Sequence, residues 1–186
     1  PLTIEVFLLA APSPCEVRFN PPAGGICHSD ITLATGGWGG DLPAVYGHEA
    51  AGIVVSVGPG VIGLQSGDHV VVTLIRSCGH CHFCTQAIET QCDNNFNLDQ
   101  QSPLSDKKGQ TIVQGLNSGA FAEQVVVEQS QVCAIPHDIP LDVACILACG
   151  VLTGFGAVPN TVTIKPASTV AIVGCGGVGI NRIQGA

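Results

Sequence analysis

Short apolar stretches separated by Gly, Pro, Asn and Asp run from residue 2 to about residue 132, a pattern typical of a mainly β domain. Each apolar stretch is bounded by turn residues, so each predicts a short strand. The clearest of these predicted strands are 51–57 (AGIVVSV), 68–75 (DHVVVTLI) and 121–128 (FAEQVVVE). Between them, residues 78–118 are polar and rich in Asn and Gln, which predicts a long loop that needs tethering.

The pattern changes after IPHDIP. Residues 141–158 predict a helix, with Pro140 just before it and Asp142 in its first turn. Residues 168–186 (STVAIVGCGGVGINRIQGA) predict a buried strand, a glycine turn and the start of a helix. This order is the opening of a βαβ unit.

Composition narrows the class of protein. The chain has 186 residues, 46% hydrophobic and 11% charged, so it can supply a buried core. Its net charge of −8, with six Lys plus Arg, argues against binding to nucleic acid or to anionic membranes. The longest apolar run, 143–152, is about half the length that a bilayer requires.

Ten cysteines could belong to a secreted disulfide scaffold, but their clustering favours metal binding in a reducing compartment. No signal peptide pattern is visible, so a soluble, cytoplasmic protein is predicted. The chain opens on Pro1, contains no Met and stops within a predicted helix. We therefore expect it to be part of a longer protein.

The strongest motif is C-x2-C-x2-C-x7-C in the polar stretch, formed by Cys78, Cys81, Cys84 and Cys92. Four thiolates suit a closed, tetrahedral structural zinc site that orders a loop. Iron–sulfur ligation also uses clustered cysteines, but the glycine turn further along the chain favours a hydride cofactor instead. His80 and His82 are alternative ligands in principle, but we expect them to be exposed loop histidines. A redox role for CGHC is the weakest alternative, since Cys84 and Cys92 complete a closed metal set.

A second set of ligands is dispersed along the chain. Cys27, His48 and Cys149 are each weak signals alone, because a lone Cys or His is usually a packed side chain. Together they match a catalytic zinc site with three protein ligands and one open position. Asp30 and Glu49 stand beside two of them, where residues that orient the ligands are expected.

The segment VAIVGCGGVG contains G-x-G-x-x-G through Gly174, Gly176 and Gly179. A glycine turn between a strand and a helix lets a dinucleotide pyrophosphate approach the helix N-terminus. The motif therefore predicts a nucleotide site, with the acidic residue expected about 20 positions later lying beyond Ala186.

In order, the chain contains GICHSD, LPAVYGHEAAGIVVSVGPGV, GDHVV, CGHCHFC, CGVLTGFGA and VAIVGCGGVG. Over nearly its whole length it resembles the zinc-dependent medium-chain alcohol dehydrogenases, especially the subset close to thiol-dependent formaldehyde dehydrogenases. The resemblance implies a GroES-like catalytic domain over residues 1–150, mainly β and a partly open barrel, with a structural-zinc lobe at 78–92. Residues 151–186 would be a linking helix and the first strand, turn and helix of a truncated Rossmann domain.

The resemblance also implies roles for single residues. Cys27, His48 and Cys149 would bind the catalytic zinc, with Glu49 close behind it and Asp30 bonded to His48. Ser29 would bond the substrate oxygen and start its proton's route to water. The other implied residues are His28, Thr153, Gly174, Gly176, Gly177, Val178 and Gly179 for the cofactor, and Trp38 and Leu74 for the substrate pocket.

The function that the resemblance implies is oxidation of a primary or secondary alcohol, with two zinc ions per chain and NAD, or NADP, as cofactors. The partners would be a small alcohol or aldehyde and further copies of the chain, as a homodimer or homotetramer. One alternative is oxidation of an S-hydroxymethyl thiol adduct of formaldehyde. A zinc-stabilised binding module without catalysis is the other, if the chain is complete as printed.

Two positions depart from the family pattern. Thr32 stands where some relatives have a histidine that ends the proton relay. Tyr46 is bulkier than the small residue expected before GHE. The final proton acceptor is therefore left open.

Overall fold

The computed structural model describes residues 2–186. Its strands are β1 (Leu8–Leu9), β2 (Glu16–Gly25), β3 (Ala44–Val45), β4 (Glu49–Val57), β5 (His69–Val72), β6 (Leu104–Ser105), β7 (Thr111–Gln114), β8 (Val125–Glu128) and β9 (Val132–Ala134). Its α-helices are α1 (His28–Ala34), α2 (Asn97–Gln100), α3 (Leu141–Ala144), α4 (Leu152–Gly156) and α5 (Gly177–Gly185). Single 3-10 turns cover Cys84–Gln86, Glu89–Gln91, Gly115–Asn117 and Gln129–Gln131, and a π-helical turn covers Leu147–Val151.

The main sheet has five antiparallel strands in the order β8-β2-β4-β5-β9. Alternate side chains of these strands point to one face and form the core, because successive residues of a strand face opposite sides. The largest core cluster consists of Val17, Phe19, Ala50, Val54, Val70, Val72, Ala120, Val125 and Val127. The three strands predicted from apolar runs are confirmed, although β5 and β8 are shorter than their apolar runs.

A smaller sheet, ordered β1-β6-β7-β3, collects short strands from the N-terminus and the polar stretch. Its β3–β7 pair is parallel and its other two pairs are antiparallel. The predicted long loop is therefore partly structured, with the two turns around the cysteines followed by α2, β6 and β7.

A buried arginine tethers this polar stretch to the main body. Arg76 is 7% exposed, its Nε donates to Gln131 Oε1 at 2.9 Å, and its Nη2 donates to the Asn117 carbonyl at 3.1 Å. Its Nη1 pairs with the carboxylate of Asp99 in α2. Gln131 Nε2 also donates to the Thr73 carbonyl, 2.8 Å away. One guanidinium, just before the polar stretch, thus bonds to groups in the middle and at the end of that stretch.

The predicted single helix over 141–158 is wrong in detail, because the structure divides it into α3, the π-helical turn and α4. The physical reason lies in the turn, where Val151 N–H bonds the Ile146 carbonyl at 3.1 Å, five residues back. Gly150 N–H instead donates to the Glu49 carboxylate at 3.0 Å, outside the helix. The break places Cys149 on the wide turn that faces the main sheet.

The predicted buried strand after residue 168 is also wrong. Residues 169–175 have no regular secondary structure, and Val173 is 96% exposed. A buried parallel strand requires neighbouring strands to pair with. Within residues 2–186 every strand belongs to the two sheets above. The glycine turn and the helix that follows it, α5, are present as predicted.

Helix α5 packs against α4 through small residues. A Cβ added to Gly154 would lie 2.4 Å from the Val178 carbonyl oxygen, so the two backbones approach closely there.

Among the described residues, no helix combines the length and apolar character needed to cross a membrane.

Candidate metal centre

Four potential ligand side chains from three parts of the fold meet at one end of the main sheet. Cys27 immediately precedes α1, His48 and Glu49 stand at the start of β4, and Cys149 lies in the π-helical turn. One ligand atom from each residue lies within 4.8 Å of all the others. We call these four residues the mixed cluster. The structure therefore brings together the dispersed set of ligands expected from the sequence.

Asp30 orients the imidazole of the mixed cluster. Its Oδ1 lies 3.1 Å from His48 Nδ1 and also accepts the Gly47 N–H at 3.0 Å. Its Oδ2 accepts the Cys27 N–H at 3.2 Å, which caps the first turn of α1. Because Nδ1 faces the carboxylate, Nε2 is left to face the thiols, as is common for histidines that bind metals.

The charges within the mixed cluster support one another. Burial opposes protonation of His48, but the hydrogen bonds and charges of Asp30 and Cys149 outweigh it and raise the pKa of His48 to about 10. Burial raises the pKa of Cys27, but hydrogen bonds from Ser29 and the charge of His48 leave that pKa lowered overall. In the metal-free protein the Asp30 carboxylate and the thiols thus favour a protonated His48, and the charge of His48 in turn favours ionisation of Cys27.

The Glu49 carboxylate opposes ionisation of the remaining thiol, Cys149. A hydrogen bond with His48 lowers the pKa of Cys149, but burial and the charges of Glu49 and Cys27 leave it raised overall. This crowding of negative charge is what a divalent cation would relieve. The donor set of two thiols and one imidazole, with a carboxylate adjacent, fits Zn²⁺.

The cysteine cluster, consisting of Cys78, Cys81, Cys84 and Cys92, closes around a second centre. Cys78 Sγ lies 4.0 Å from Cys84 Sγ, and Cys81 Sγ lies 3.9 Å from Cys92 Sγ. A tetrahedral zinc with Zn–S bonds of about 2.3 Å requires sulfur separations of about 3.8 Å. All four sulfurs lie within 4.8 Å of one another, so the cluster has the composition and about the size of a tetrahedral zinc site.

Backbone groups support these sulfurs. Cys78 N–H donates to Cys92 Sγ at 3.4 Å, and Cys81 N–H donates to Cys78 Sγ at 3.3 Å. A backbone hydrogen bond at His80 lowers the pKa of Cys78 to about 7, whereas burial raises the pKa of Cys84 to about 12. His80 and His82 are exposed and lie outside the cluster of sulfurs.

Comparison with known proteins agrees with this geometry. Residues 13–137 match the family model described as the alcohol dehydrogenase GroES-like domain. The chain belongs to the zinc-dependent medium-chain alcohol dehydrogenase family. The GroES-like fold predicted from the sequence is thereby confirmed.

Relatives and solved structures within this family match the whole chain. It is 40% identical to S-(hydroxymethyl)glutathione dehydrogenase of Saccharomyces cerevisiae, covering 100% of this chain and 50% of that protein. It is 38% identical to alcohol dehydrogenase B of Mycobacterium tuberculosis, over 100% of this chain and 52% of that protein. A crystal structure of an alcohol dehydrogenase zinc-binding domain protein from Burkholderia ambifaria superposes with a TM-score of 0.91 at 33% sequence identity. The match covers 100% of this chain and 52% of that one. The chain therefore spans about half the length of these relatives.

The other residues implied by the family resemblance lie on α1, just beyond it, and after β5. Ser29 is half-buried in the first turn of α1 beside Cys27, and His28 next to it is exposed. Trp38 is 62% exposed beyond the end of α1. Leu74 is half-buried just after β5, and its carbonyl accepts Asn117 Nδ2 at 3.1 Å. Their contacts with substrate stay predictions.

The residues expected to bind the cofactor lie along α4 and the glycine turn. Thr153 is exposed on α4, and Val178 is exposed in the first turn of α5. Gly174 has φ +93°, a conformation that favours glycine. A Cβ on Gly179 would lie 1.9 Å from the Gly174 carbonyl oxygen, so the turn requires glycine there too. Gly176 and Gly177 are exposed where α5 begins.

The two departures from the family pattern have local explanations. Thr32 Oγ1 donates to the His28 carbonyl at 3.0 Å, so its hydroxyl proton stays within α1. Tyr46 is accommodated because residue 115 is glycine: a Cβ at Gly115 would lie 2.5 Å from Tyr46 Cδ1. The bulk of Tyr46 therefore fills space that a larger residue at 115 would occupy.

Sequence reasoning missed two glycines that touch the mixed cluster. Gly25 pairs with Glu49 across β2 and β4, and Gly150 donates its N–H to the same side chain. For Gly25 the available signal was a glycine at the end of a strand, which often marks a close approach; Gly150, inside a helical turn, has no such signal. That signal does not say which group approaches.

Proposed function

We propose that the protein is a zinc-dependent alcohol dehydrogenase that oxidises a primary or secondary alcohol by hydride transfer to NAD or NADP. The mixed cluster carries this proposal, because its two cysteines and one histidine form a three-ligand set of the kind found in catalytic zinc sites. The cysteine cluster supports a separate structural role for a second zinc, since its four sulfurs leave no open position.

When bound, zinc and the nicotinamide would supply Lewis-acid polarisation of the alcohol oxygen and a hydride acceptor. Asp30 holds His48 by Nδ1, so Nε2 stays directed at the cluster. Ser29, beside Cys27, would accept the alcohol proton at Oγ while donating its own proton outward to water. Thr32 would take no part in this relay, because its proton is bonded within the helix.

The nucleotide half of the site would begin at the glycine turn. Residues 151–186 would be the first part of a Rossmann domain, with the pyrophosphate placed at the start of α5 by Gly174, Gly176, Gly177 and Gly179. The positive φ of Gly174 and the close approach of Gly179 to its carbonyl support this use of the turn. His28, Thr153 and Val178 would contact the cofactor, and Trp38 and Leu74 the substrate.

A second candidate substrate is an S-hydroxymethyl thiol adduct. The support is the relative from Saccharomyces cerevisiae, whose name states that it acts on S-(hydroxymethyl)glutathione and which shares 40% identity. Both substrates present a hydroxyl to the same site, so they differ in the group beyond the carbinol carbon. We place the protein in the cytoplasm, where thiolate metal sites persist, and expect a homodimer or homotetramer.

The test is a spectrophotometric assay of the purified protein with NAD or NADP and a series of alcohols, with and without glutathione plus formaldehyde. Cys149→Ser is the matched variant, since it removes one ligand of the mixed cluster. Turnover that Cys149→Ser abolishes would support the proposal, and a requirement for glutathione would select the second candidate. Equal activity in the wild-type protein and in Cys149→Ser would contradict a catalytic role for the mixed cluster. One zinc per chain with no affinity for NAD would favour a non-catalytic binding module.

A further inference from the structure

Glu49 is enclosed between two glycines that neighbour the cysteine ligands of the mixed cluster. Its side chain is buried, with 6% exposed. Gly25, two residues before Cys27, faces it across the β2–β4 pair, and Gly150 directly follows Cys149. The carboxylate therefore lies between the two backbone segments that deliver the thiols.

The two carboxylate oxygens have separate surroundings. Oε1 accepts the Gly150 N–H at 3.0 Å and so holds the turn that carries Cys149. Oε2 occupies the space where residue 25 would have a side chain: a Cβ there would lie 2.0 Å from Oε2. No real Cβ makes so short a contact, so any larger residue at position 25 must displace the carboxylate.

We propose that Gly25 and Glu49 form a positioning pair that fixes the Cys149 turn relative to Cys27, and that metal retention at the mixed cluster depends on it. The inference rests on the proposed zinc site. Glu49 acts through the Gly150 N–H, and Gly25 acts by leaving room for the Glu49 carboxylate. Neither residue needs to bind the metal for this role.

The experiment is a zinc titration of the metal-free protein against a chromophoric chelator. The cysteine cluster of the same chain serves as the internal reference, and Cys149→Ser identifies the sites by losing one equivalent. We expect Gly25→Ala and Glu49→Ala each to weaken zinc binding at the mixed cluster by about 10- to 100-fold. Affinity at the cysteine cluster should stay the same.

The double variant tests the mechanism. If Gly25 matters because of the carboxylate, Gly25→Ala adds little once Glu49→Ala has removed it, and the two effects are not additive. Gly24→Ala is the matched control, because its added Cβ would meet the Glu49 backbone oxygen at 3.2 Å and not the carboxylate. Glu49→Gln keeps an oxygen for the Gly150 N–H and should retain most of the affinity.

Several results would overturn the inference. It fails if the effects of Gly25→Ala and Glu49→Ala on zinc affinity are additive. It also fails if Gly25→Ala leaves zinc affinity at the mixed cluster unchanged, or if that variant loses zinc from the cysteine cluster. A large loss in Glu49→Gln would assign Glu49 to direct ligation instead. If the wild-type chain binds only the zinc of the cysteine cluster, the proposed function fails as well. If the wild-type chain binds two zincs and Gly25→Ala binds them with unchanged affinity, only the positioning pair is overturned.

Discussion

At the scale of single residues, Asp30 joins two members of the mixed cluster and the backbone beside one of them. One carboxylate bonds the His48 ring, the Gly47 N–H and the Cys27 N–H. It thus connects the backbone before α1 to the backbone before β4. His48 itself is 1% exposed, so no water replaces a lost partner easily.

We predict that Asp30→Asn weakens both the fold and the metal site. The amide keeps one acceptor but loses the charge, so the free energy of unfolding should fall by about 1–3 kcal/mol. Zinc affinity at the mixed cluster should fall by about 10- to 100-fold. Urea denaturation and chelator competition measure the two quantities. Unchanged zinc affinity would show that Asp30 serves the fold alone.

A second prediction concerns pH in the metal-free protein. Because the pKa of His48 is raised to about 10, its stabilising charge is fully present below its ordinary pKa of about 6.5 and is lost as pH rises toward 10. The pKa of Asp30 is lowered, so its contribution is present above about pH 3.9 and is lost as pH falls through the lowered value. We expect this ion pair to stabilise the metal-free chain most between about pH 4 and 6.5.

With zinc bound, the dependence should reverse above neutrality, because ligands must lose protons to bind metal and stabilisation then grows with pH. Denaturation midpoints at pH 6 and pH 9, with and without zinc, measure both slopes. Asp30→Asn is the control and should flatten the metal-free slope. A metal-free protein that is more stable at pH 9 would contradict the prediction.

Residue types and spacing predicted the candidate ligands, but not how their surroundings are arranged. Cys27, His48 and Cys149 each give a weak signal alone, and the family resemblance joins them into one set. The roles of Gly25 and Gly150 depend on pairing between β2 and β4 and on a π-helical turn. A glycine has no chemical signature in a sequence, so the group that fills its space is visible only in three dimensions.

At the scale of elements, the Arg76 network holds the polar stretch through residues that are not metal ligands. Three hydrogen-bonded partners surround the guanidinium, from α2 and from the turns at Asn117 and Gln131. Leu116 and Asn117 both have positive φ, which is uncommon outside glycine. The bond from Arg76 to the Asn117 carbonyl helps to hold that turn.

Arg76→Met should therefore lower the free energy of unfolding by about 1.5–3 kcal/mol, because it leaves charged and buried acceptors without their donor. The matched control is Arg18→Met, whose side chain bonds the neutral Gln124 at a less buried site. Urea denaturation of both variants measures the difference. Equal losses in the two variants would show that burial of Arg76 has no special importance.

Local patterns predicted strands that bury apolar side chains in the main sheet, and failed where a tertiary contact breaks an element or a strand has no neighbour. The strands β4, β5 and β8 follow apolar runs, because each pairs within the main sheet. The helix over 141–158 breaks because Gly150 N–H bonds a side chain of β4. The predicted strand after residue 168 has no neighbouring strand in the described chain. Periodicity in the sequence reveals neither the bond to Glu49 nor the absence of a neighbouring strand.

At the scale of the whole molecule, the two clusters share no ligand, so they should contribute independently to stability. We predict two zincs per chain by native mass spectrometry, and one in either Cys84→Ser or Cys149→Ser. Because binding to the folded state stabilises it by mass action, each variant should lower the melting temperature in zinc. The two decreases should add in the double variant. A double variant no less stable than one single variant would show that the clusters depend on each other.

The sequence separation of the ligands also orders the events of folding. All four sulfurs of the cysteine cluster lie within residues 78–92, so little chain entropy is lost when that loop closes. The mixed cluster requires residues 27, 48 and 149 to meet, which demands a formed β2–β4 pair and a docked π-helical turn. During synthesis, the cysteine cluster can thus capture zinc while the mixed cluster still lacks its last cysteine. The protein should acquire its metals in a fixed order, structural site first.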